Sequence, residues 1–369
     1  MAEADELAQR FQALHEFLPA AEAALSREIW GYLIGGTETE TTVARNRAAL
    51  DALAFRPRVL RDVSRIDASA RFLGRSIRLP VALAPIGSLE SFHPDAGAAV
   101  ARAAGTFGVP FYLSSVTQPG LEAAAEASAG PRVYQLYVRG DGAWVDEQVR
   151  RAIAAGYDAF CLTVDTAQYS RRERDIANRF DKPWRRNPQG LAFQAALSWD
   201  DVARLRDRHP IPLMLKGIAT AEDAARAAEL GIAFVYVSNH GGRQLDHGLG
   251  TMTVLPEIVA ALRGRARIVI DGGFCRGTDI VKAIALGADL VGIGRLFCYG
   301  LAAAGAPGIV RVLELLEEEM RIALGLLGVT RLDELHPGLL AATQPVVTPH
   351  VHSAFPLRDF GSGYCGSGR

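Results

Sequence analysis

From about residue 80 to residue 296 the chain alternates short apolar stretches with longer stretches rich in alanine and leucine. The short stretches have the length and composition of buried strands, and most of the longer ones have helical spacing. Eight such repeats predict an α/β fold, a closed (β/α)8 barrel of the TIM type, rather than an open doubly wound sheet. No GxGxxG run follows an early strand, which also weighs against a dinucleotide-binding sheet. The predicted strands are residues 81–87, 110–115, 132–138, 159–165, 212–218, 234–240, 267–273 and 290–296, and the predicted barrel helices are residues 96–107, 144–155, 221–230, 255–262 and 278–286.

A helical segment precedes the repeats. Apolar residues from Leu7 to Leu18 are spaced along one face of a predicted helix that ends at Pro19. A second predicted helix, residues 20–33, brings Tyr32 close to two glycines that would end it. We therefore predict an N-terminal helical extension that packs on the barrel, the barrel itself and a C-terminal tail rich in glycine and serine, at residues 1–54, 55–345 and 346–369.

Charge and cysteine content exclude several classes of function. The 369 residues include 40 Lys and Arg against 41 Asp and Glu, and the formal net charge of −1 provides no basic field for nucleic acid or an anionic membrane. Cys161, Cys275, Cys298 and Cys365 lack the spacing of a disulfide framework or a metal site, so we expect no metal and regard the first three as reduced thiols. An acidic N-terminus without a signal sequence, and no apolar run as long as a membrane span, predict a cytoplasmic protein with no membrane partner.

The sixth predicted strand runs directly into a polar turn, Ser238-Asn239-His240-Gly241-Gly242, which Arg243 follows. His240 can accept a proton near neutral pH. Arg243 offers a planar fork that binds a carboxylate through two hydrogen bonds. Together these two residues indicate a site for an anionic substrate that loses a proton.

Other predicted strands also end in polar or ionisable groups, and the carboxyl ends of barrel strands meet at one rim. Buried strands have no packing reason to end this way repeatedly, so the pattern indicates a single polar site. The loops after the last two strands, a common phosphate site in barrels, contain glycines and an arginine that suit a phosphate. The strand-end residues are Gln135, Tyr137, Thr163, Asp165, Lys216, Ser238, His240, Asp271, Gly272, Gly273, Gly292, Gly294 and Arg295.

The run Ser-Asn-His-Gly-Gly-Arg-Gln-Leu-Asp at residues 238–246 resembles the signature of the FMN-dependent 2-hydroxy acid oxidases and dehydrogenases, which include glycolate oxidase, lactate oxidase and mandelate dehydrogenase. The resemblance extends from about residue 29 to about residue 333. It implies a barrel with non-covalently bound FMN that oxidises an L-2-hydroxy acid to the 2-oxo acid. Oxygen or another acceptor would then take the electrons, and the protein would form a homo-oligomer, often a tetramer.

The resemblance implies a catalytic set of four residues. His240 would be the base that removes a proton from the substrate, and Asp165 would pair with it and stabilise the imidazolium. Tyr137 would hydrogen-bond the reacting substrate. Lys216 would lie against the flavin and stabilise its anionic reduced form.

The resemblance also implies which residues bind the two small molecules. Tyr32, Tyr137, Arg172, His240 and Arg243 would bind the substrate, the arginines through its carboxylate. FMN would contact Pro85, Ile86, Gly87, Ser114, Gln135, Thr163, Lys216, Ser238, Asp271, Gly272, Gly273, Cys275, Gly294 and Arg295.

Three departures from the family pattern bear on specificity. Val116 stands where glycolate oxidases carry tryptophan, which would enlarge the pocket beside the substrate side chain. Cys275 stands where many members have an arginine near the phosphate, and the lid segment, residues 180–197, is short. We therefore predict a substrate larger than glycolate, unless Phe180 or Trp184 folds in and restores the pocket wall.

Two alternatives remain open at this stage. An FMN barrel could oxidise a different hydroxy or amino compound in a tailoring pathway, because fold does not fix function. A non-catalytic scaffold is disfavoured because His240, Arg243, Lys216 and Asp165 are all present.

Overall fold

The structure, a computed structural model, describes residues 2–181 and 190–358. Eight parallel strands form a closed barrel in which each strand pairs with its neighbours in chain order. The last strand pairs with the first, with Gly292 opposite Ala82. The predicted (β/α)8 barrel is therefore confirmed. The barrel strands, numbered β1 to β8, are Val81–Leu83, Phe111–Ser114, Arg132–Leu136, Ala159–Thr163, Leu213–Ile218, Phe234–Val237, Arg267–Ile270 and Leu290–Ile293.

Most strands end earlier than the sequence predicts. β6 was predicted to reach residue 240 but ends at Val237, and β7 was predicted to reach residue 273 but ends at Ile270. The ladder stops because the residues that follow adopt a left-handed backbone, with φ of 59° at His240 and 109° at Gly272. The predicted site residues therefore lie mostly in loops that follow the strands.

The inside of the barrel is packed with side chains. Tyr112, Cys161, Met214 and Tyr236 form part of a buried cluster within the ring of strands. A hairpin, Ala70–Phe72 with Arg75–Ile77, closes the amino end of the strands, where Phe72 packs on Phe234 with ring centroids 5.5 Å apart. The carboxyl end of the barrel is therefore the end at which we look for a site.

The barrel helices lie outside the ring and confirm all five predicted helices, with bounds shifted by at most a few residues. The predicted helix 96–107 agrees fully with the observed Ala96–Phe107. The helices after β1 to β3 are Ala96–Phe107, Leu121–Glu126 and Gly142–Ala154; Glu173–Ala177, Leu191–Ala195 and Trp199–Arg208 follow β4; Ala221–Glu229, Thr251–Leu262, Gly277–Ala285 and Arg295–Leu327 follow β5 to β8.

The last helix, Arg295–Leu327, is long and apolar. Within the described part of the chain it alone has the length and composition of a membrane span, a property that the sequence analysis missed. Its backbone is interrupted at Ala304 and Gly305, and 61% of its most apolar window is buried inside the protein. Its apolar face packs on the helices Ala96–Phe107 and Gly277–Ala285, as a core helix does.

The N-terminal extension is helical, but two of its predicted boundaries are wrong. Pro19 does not end a helix; it lies in the first turn of Phe17–Ala24, where its missing N–H is not needed. The predicted helix 20–33 is two helices, because the chain becomes extended at Leu25 and Ser26 caps a new one. The helical elements are Ala2–Arg10, the 3₁₀ turn Leu14–Glu16, Phe17–Ala24, Arg27–Ile34 and Thr41–Asp51.

The extension and the end of the chain are joined by a small sheet. Leu53–Phe55 pairs antiparallel with Leu340–Ala342. The predicted domain division at residues 54 and 345 stays a prediction. Residues 359–369 of the predicted tail, including Cys365, lie outside the described residues.

Candidate active site

A cavity of about 600 Å³ opens at the carboxyl end of the strands, within the size range of small-molecule sites. Five predicted site residues do not line it: Ser114, Gln135, Thr163 and Ser238 are buried beside residues that do, and Asp165 is half-buried there. The predicted residues that line it are Tyr32, Pro85, Ile86, Gly87, Tyr137, Arg172, Lys216, His240, Arg243, Asp271, Gly272, Gly273, Cys275, Gly294 and Arg295.

His240 lies between a carboxylate and a phenol. Its Nδ1 is 3.1 Å from Asp165 Oδ1, and its Nε2 is 3.1 Å from Tyr137 Oη. An ionised carboxylate only accepts hydrogen bonds, so Nδ1 carries the proton and the lone pair of Nε2 points toward Tyr137. The imidazole is therefore oriented as a base.

The protonation states of these groups suit that role. Burial lowers the pKa of His240 below its usual value, against the opposing effect of Asp165, so the ring is neutral at pH 7. Burial would raise the pKa of Asp165, but His240 and Lys216 outweigh it and hold that pKa below its usual value. Burial raises the pKa of Tyr137, so its hydroxyl keeps its proton and donates it to Nε2 in a hydrogen bond.

Arg243 is held in place by the N-terminal extension. Its Nη1 donates to the carbonyl oxygens of Tyr32, at 2.8 Å, and Gly35, at 2.6 Å. Its guanidinium also lies 4.8 Å from the centroid of the Tyr32 ring. Burial, reinforced by Arg172, lowers the pKa of Arg243 to about 10, so it stays charged at neutral pH. Arg172 Nε donates to the backbone oxygen of Arg243 at 3.2 Å, which places two cations together in the cavity wall.

Lys216 is buried at the end of β5 and bonds to two polar side chains. Its Nζ donates to Ser238 Oγ at 2.7 Å and lies 3.1 Å from Asp271 Oδ2. Burial disfavours the cation, but Asp271 and Asp165 outweigh it and raise the pKa of Lys216. The next residue must be glycine, because Gly217 has φ 112° and a Cβ there would come within 2.5 Å of Asp165 Cβ.

The end of the cavity beside β7 and β8 is rich in glycine and arginine. Arg295 donates from Nη1 to the Gly241 oxygen at 3.0 Å and from Nη2 to the Gly35 oxygen at 2.8 Å. Arg295 also begins the long last helix, whose amino end favours an anion. Cys275 lines this end as a neutral thiol, because burial raises its pKa to about 12.

The remaining residues of the 238–246 run fix the shape of the loop. Asn239 and Asn46 exchange amide hydrogen bonds of 2.9 and 2.7 Å. Gln244 Nε2 donates to the backbone oxygen of Asp165 at 3.1 Å. Asp246 accepts the backbone N–H of Thr42 at 2.8 Å and so caps the helix Thr41–Asp51. The loop is thus attached to the N-terminal extension and to the loop after β4.

The lid segment reaches the cavity through the short helix Leu191–Ala195. Gln194 anchors it, accepting the Val138 N–H at 2.6 Å and donating to the Thr163 oxygen at 3.0 Å. Leu191, Ala192 and Ala195 line the cavity. Phe180 packs on the Tyr32 ring at 5.0 Å without lining the cavity, and Trp184 lies outside the described residues.

Sequence reasoning missed several residues of the site. Asn46 and Arg47 line the cavity from the N-terminal extension, and His350 and Val351 line it from the end of the chain. The sequence signal for Asn46 is weak: it lies one turn after Thr42 on the buried side of a helix, where two polar residues need partners. Nothing in the local sequence marks His350 and Val351.

The residues present fit FMN. In the described ranges, Gln135 Oε1 and Arg295 Nε are buried without a hydrogen-bond partner, as expected where a ligand completes the set. Gln135 and Lys216 offer an acceptor and a cation, which suit the N–H and carbonyl groups of a flavin ring. The glycines and Arg295 at the other end suit a phosphate.

Comparison with known proteins agrees with this reading. The family model described as "FMN-dependent dehydrogenase" matches residues 21–342. L-lactate oxidase from Nostoc sp. is 38% identical over 354 residues, covering 89% of this chain and 97% of its own. Glycolate oxidase 1 of Oryza sativa subsp. indica is 41% identical over 342 residues, covering 87% of this chain and 93% of its own. A crystal structure of mandelate oxidase with (S)-2-phenylpropionate superposes with a TM-score of 0.85 at 39% identity, covering 91% of this chain and 100% of that one.

Proposed function

Because the chain belongs to the family of FMN-dependent dehydrogenases, whose relatives here are 2-hydroxy acid oxidases, we propose that it oxidises an L-2-hydroxy acid larger than glycolate, with oxygen as the electron acceptor. Its cofactor is FMN, and the reaction class is the oxidation of a 2-hydroxy acid. The substrate and the electron acceptor are what we propose beyond this cofactor and reaction class. The neutral His240 beside Asp165, in one cavity with Arg243 and Arg172, is the observation that carries the proposal.

In this proposal the substrate is oriented by two arginines, Arg243 and Arg172, and two tyrosines, Tyr32 and Tyr137. Arg243 uses one nitrogen to hold the backbone of the extension, which leaves its other N–H groups for the substrate carboxylate. Arg172 adds a second positive charge. The Tyr32 hydroxyl donates to the Gly87 oxygen at 3.3 Å, so it lies beside the strand-end segment at which the flavin is expected.

His240 then takes a proton from the bound hydroxy acid at Nε2. The imidazolium that forms is stabilised by Asp165, whose carboxylate stays ionised. Bound FMN supplies the acceptor for the electron pair that leaves the substrate carbon. The Lys216 cation provides the positive charge that favours electron transfer toward it, and Asp271 and Ser238 hold that cation in position.

The size of the substrate follows from small side chains in the cavity wall. Val116, Ala192 and Ala195 line the cavity, and none of them fills much volume. Each additional buried CH₂ of a substrate contributes about 0.8 kcal/mol, or several-fold in kcat/KM, until the space is full. The likeness to mandelate oxidase supports an extended side chain of this kind.

A screen under anaerobic conditions tests the proposal. We expect lactate, 2-hydroxyoctanoate or mandelate to bleach the flavin with higher kcat/KM than glycolate, and air to restore the colour rapidly. Val116→Trp should lower kcat/KM for the larger substrates and leave glycolate little affected. Glycolate as the best of the four would refute the open pocket, and slow reoxidation in air would refute oxygen as the acceptor.

On the family resemblance we also propose a cytoplasmic homotetramer. Ile322 and Leu326, one turn apart on the last helix, are large apolar residues exposed at the surface, as residues in a subunit contact are before assembly. Native mass measurement tests the tetramer, and a monomer at micromolar concentration would refute it.

A further inference from the structure

The end of the chain folds back over the cavity. The family match ends at residue 342, and the residues after it continue to Arg358 in the described structure. We call residues 349–358 the C-terminal strap. His350 and Val351 of the strap line the cavity, so a part of the chain beyond the family match contributes to the site.

Buried aromatic contacts attach the strap. The His352 ring is buried, stacks on Trp30 with centroids 5.6 Å apart, and meets Tyr299 edge-on at 6.2 Å. Phe355 is fully buried against Tyr299. Arg276 Nη1 donates to the Ala354 oxygen at 3.4 Å, which ties the strap to the loop after β7.

These contacts place the strap at the phosphate end of the cavity. Tyr299 lies one turn after Arg295 on the last helix, and Arg276 directly follows Cys275. Trp30 lies two residues before Tyr32, on the helix that carries it. The strap therefore bridges the substrate-binding helix and the residues around the expected phosphate.

The cations at this end are already engaged by protein groups. Arg47 forms two hydrogen bonds of 2.7 Å with Asp279, which neutralise its charge. The two terminal nitrogens of Arg295 donate to backbone oxygens. Its third nitrogen, the buried Nε, has no hydrogen-bond partner among the described residues. Backbone N–H groups of the glycine loops remain for a phosphate, but a further side-chain donor would strengthen its binding, and Cys275 is a neutral thiol.

His350 carries a ring N–H that can serve as such a donor. Its Nδ1 accepts the backbone N–H of His352 at 3.2 Å, so an N–H of the ring is on Nε2. Ser353 fixes the turn, since its Oγ accepts the His350 N–H at 3.1 Å and donates to the His350 oxygen at 2.9 Å. His350 is exposed and lines the cavity.

We propose that the C-terminal strap is part of the FMN site and that His350 Nε2 donates a hydrogen bond to the FMN phosphate. His352 is a positioning residue, because it holds the strap through Trp30 and Tyr299. Val351 covers the same end of the cavity and slows the escape of the cofactor. The proposal concerns cofactor binding and does not depend on which 2-hydroxy acid is oxidised.

Flavins with and without the phosphate test the proposal. Full-length apoprotein is titrated with FMN and with riboflavin, and the dissociation constant is read from quenching of flavin fluorescence. We expect His350→Ala to raise the Kd for FMN about tenfold, the effect of losing a hydrogen bond to a charged group. The Kd for riboflavin should stay unchanged, because riboflavin lacks the phosphate. His336→Ala is the matched control, since His336 is an exposed histidine that does not line the cavity.

The positioning role has its own variants. His352→Ala should raise the FMN Kd and the rate of FMN release, whereas His352→Phe keeps the stacking on Trp30 and should restore both. An equal loss of FMN and riboflavin affinity in His350→Ala, or no loss of either, would overturn the role of His350. Unchanged FMN release in His352→Ala would overturn the role of the strap.

Discussion

His240 has a left-handed backbone, with φ 59°, which is uncommon for a residue with a side chain. The conformation is held by its surroundings, because the His240 N–H donates to Ser238 Oγ at 3.1 Å and two glycines with positive φ follow. Strain of this kind typically occurs at functional sites, where the structure around the residue overdetermines it. Here it turns the imidazole toward Asp165 and Tyr137.

Replacing His240 tests its role as a base separately from the binding of FMN. His240→Gln cannot accept a proton, so we expect reduction of the flavin by substrate to fall by about 10²–10⁴-fold, with FMN still bound. Stopped-flow absorbance under anaerobic conditions measures it. His247→Gln is a matched control, because His247 also has positive φ, 57°, in the same loop but does not line the cavity. Flavin reduction at close to the parental rate would contradict the assignment.

The lowered pKa of His240 predicts the pH profile. The base works when neutral, so kcat/KM should be flat above its usual pKa of about 6.5 and fall only at lower pH. Asp165 raises the pKa of His240, so Asp165→Asn should move the acid limb to still lower pH while lowering the plateau. The measurement is kcat/KM between pH 4.5 and 8. An acid limb that moved upward in Asp165→Asn would refute the pairing.

Sequence identified the residues of the site better than their partners. The run at residues 238–246 was enough to predict His240 as the base and Arg243 as the residue that binds the carboxylate, because the family motif that it resembles has residues with these roles. It could not predict that Arg243 bonds to the backbone of Tyr32, 211 positions away. Such contacts are set by how distant segments pack, which no local pattern records.

At the scale of elements, the site loops are held by the N-terminal extension. Asp246 caps the helix Thr41–Asp51 from the loop after β6, and Asn46 on that helix bonds back to Asn239. The strand ends were mispredicted because the left-handed backbone at His240 and Gly272, where the ladders stop, leaves no mark in the local pattern. The number and order of strands followed from periodicity alone, since each repeat is a local signal.

The strap should loosen in acid. Burial, together with the charges of Arg358, His350, Arg295 and Arg174, lowers the pKa of His352 to about 3. In the released strap His352 has its ordinary pKa of about 6.5. It therefore binds a proton at a pH at which the docked strap does not. Docking should therefore be independent of pH above about 6.5 and weaken progressively as pH falls from there toward 3.

Release of FMN from the holoenzyme measures this effect. The rate of fluorescence recovery should be higher at pH 5 than at pH 7.5 in the parent protein, with a smaller increase in His352→Phe, which has no group to protonate. Any acid effect on the phosphate itself is common to both proteins. An equal increase in the two would show that His352 does not control the strap.

At the scale of the molecule, one buried ion pair joins the N-terminal extension to the barrel. Arg47 on the helix Thr41–Asp51 bonds to Asp279 on the helix after β7, with side chains 5% and 1% exposed. Breaking such a pair leaves an unbalanced charge inside the protein. The barrel was predictable from sequence, whereas this junction was not, because its two residues lie 232 positions apart.

Asp279→Asn should lower the free energy of unfolding by about 3–5 kcal/mol, the cost of removing one partner of a buried pair. Denaturant unfolding of the holoprotein measures it. Glu317→Gln is the control: it breaks the Arg78–Glu317 pair, whose arginine is 48% exposed, and should cost about 1 kcal/mol or less. Equal losses in the two variants would contradict the structural role of Arg47.

The cavity wall extends in sequence from Tyr32 to Val351, so nearly the whole chain is needed to build it. A ribosome releases the amino end first. β1 finds its partner β8 only after Ile293 has been made, and the strap arrives later still. A growing chain therefore has no complete pocket to offer a flavin. Cofactor loading therefore follows synthesis of the strap, when the last residues that line the cavity have been made.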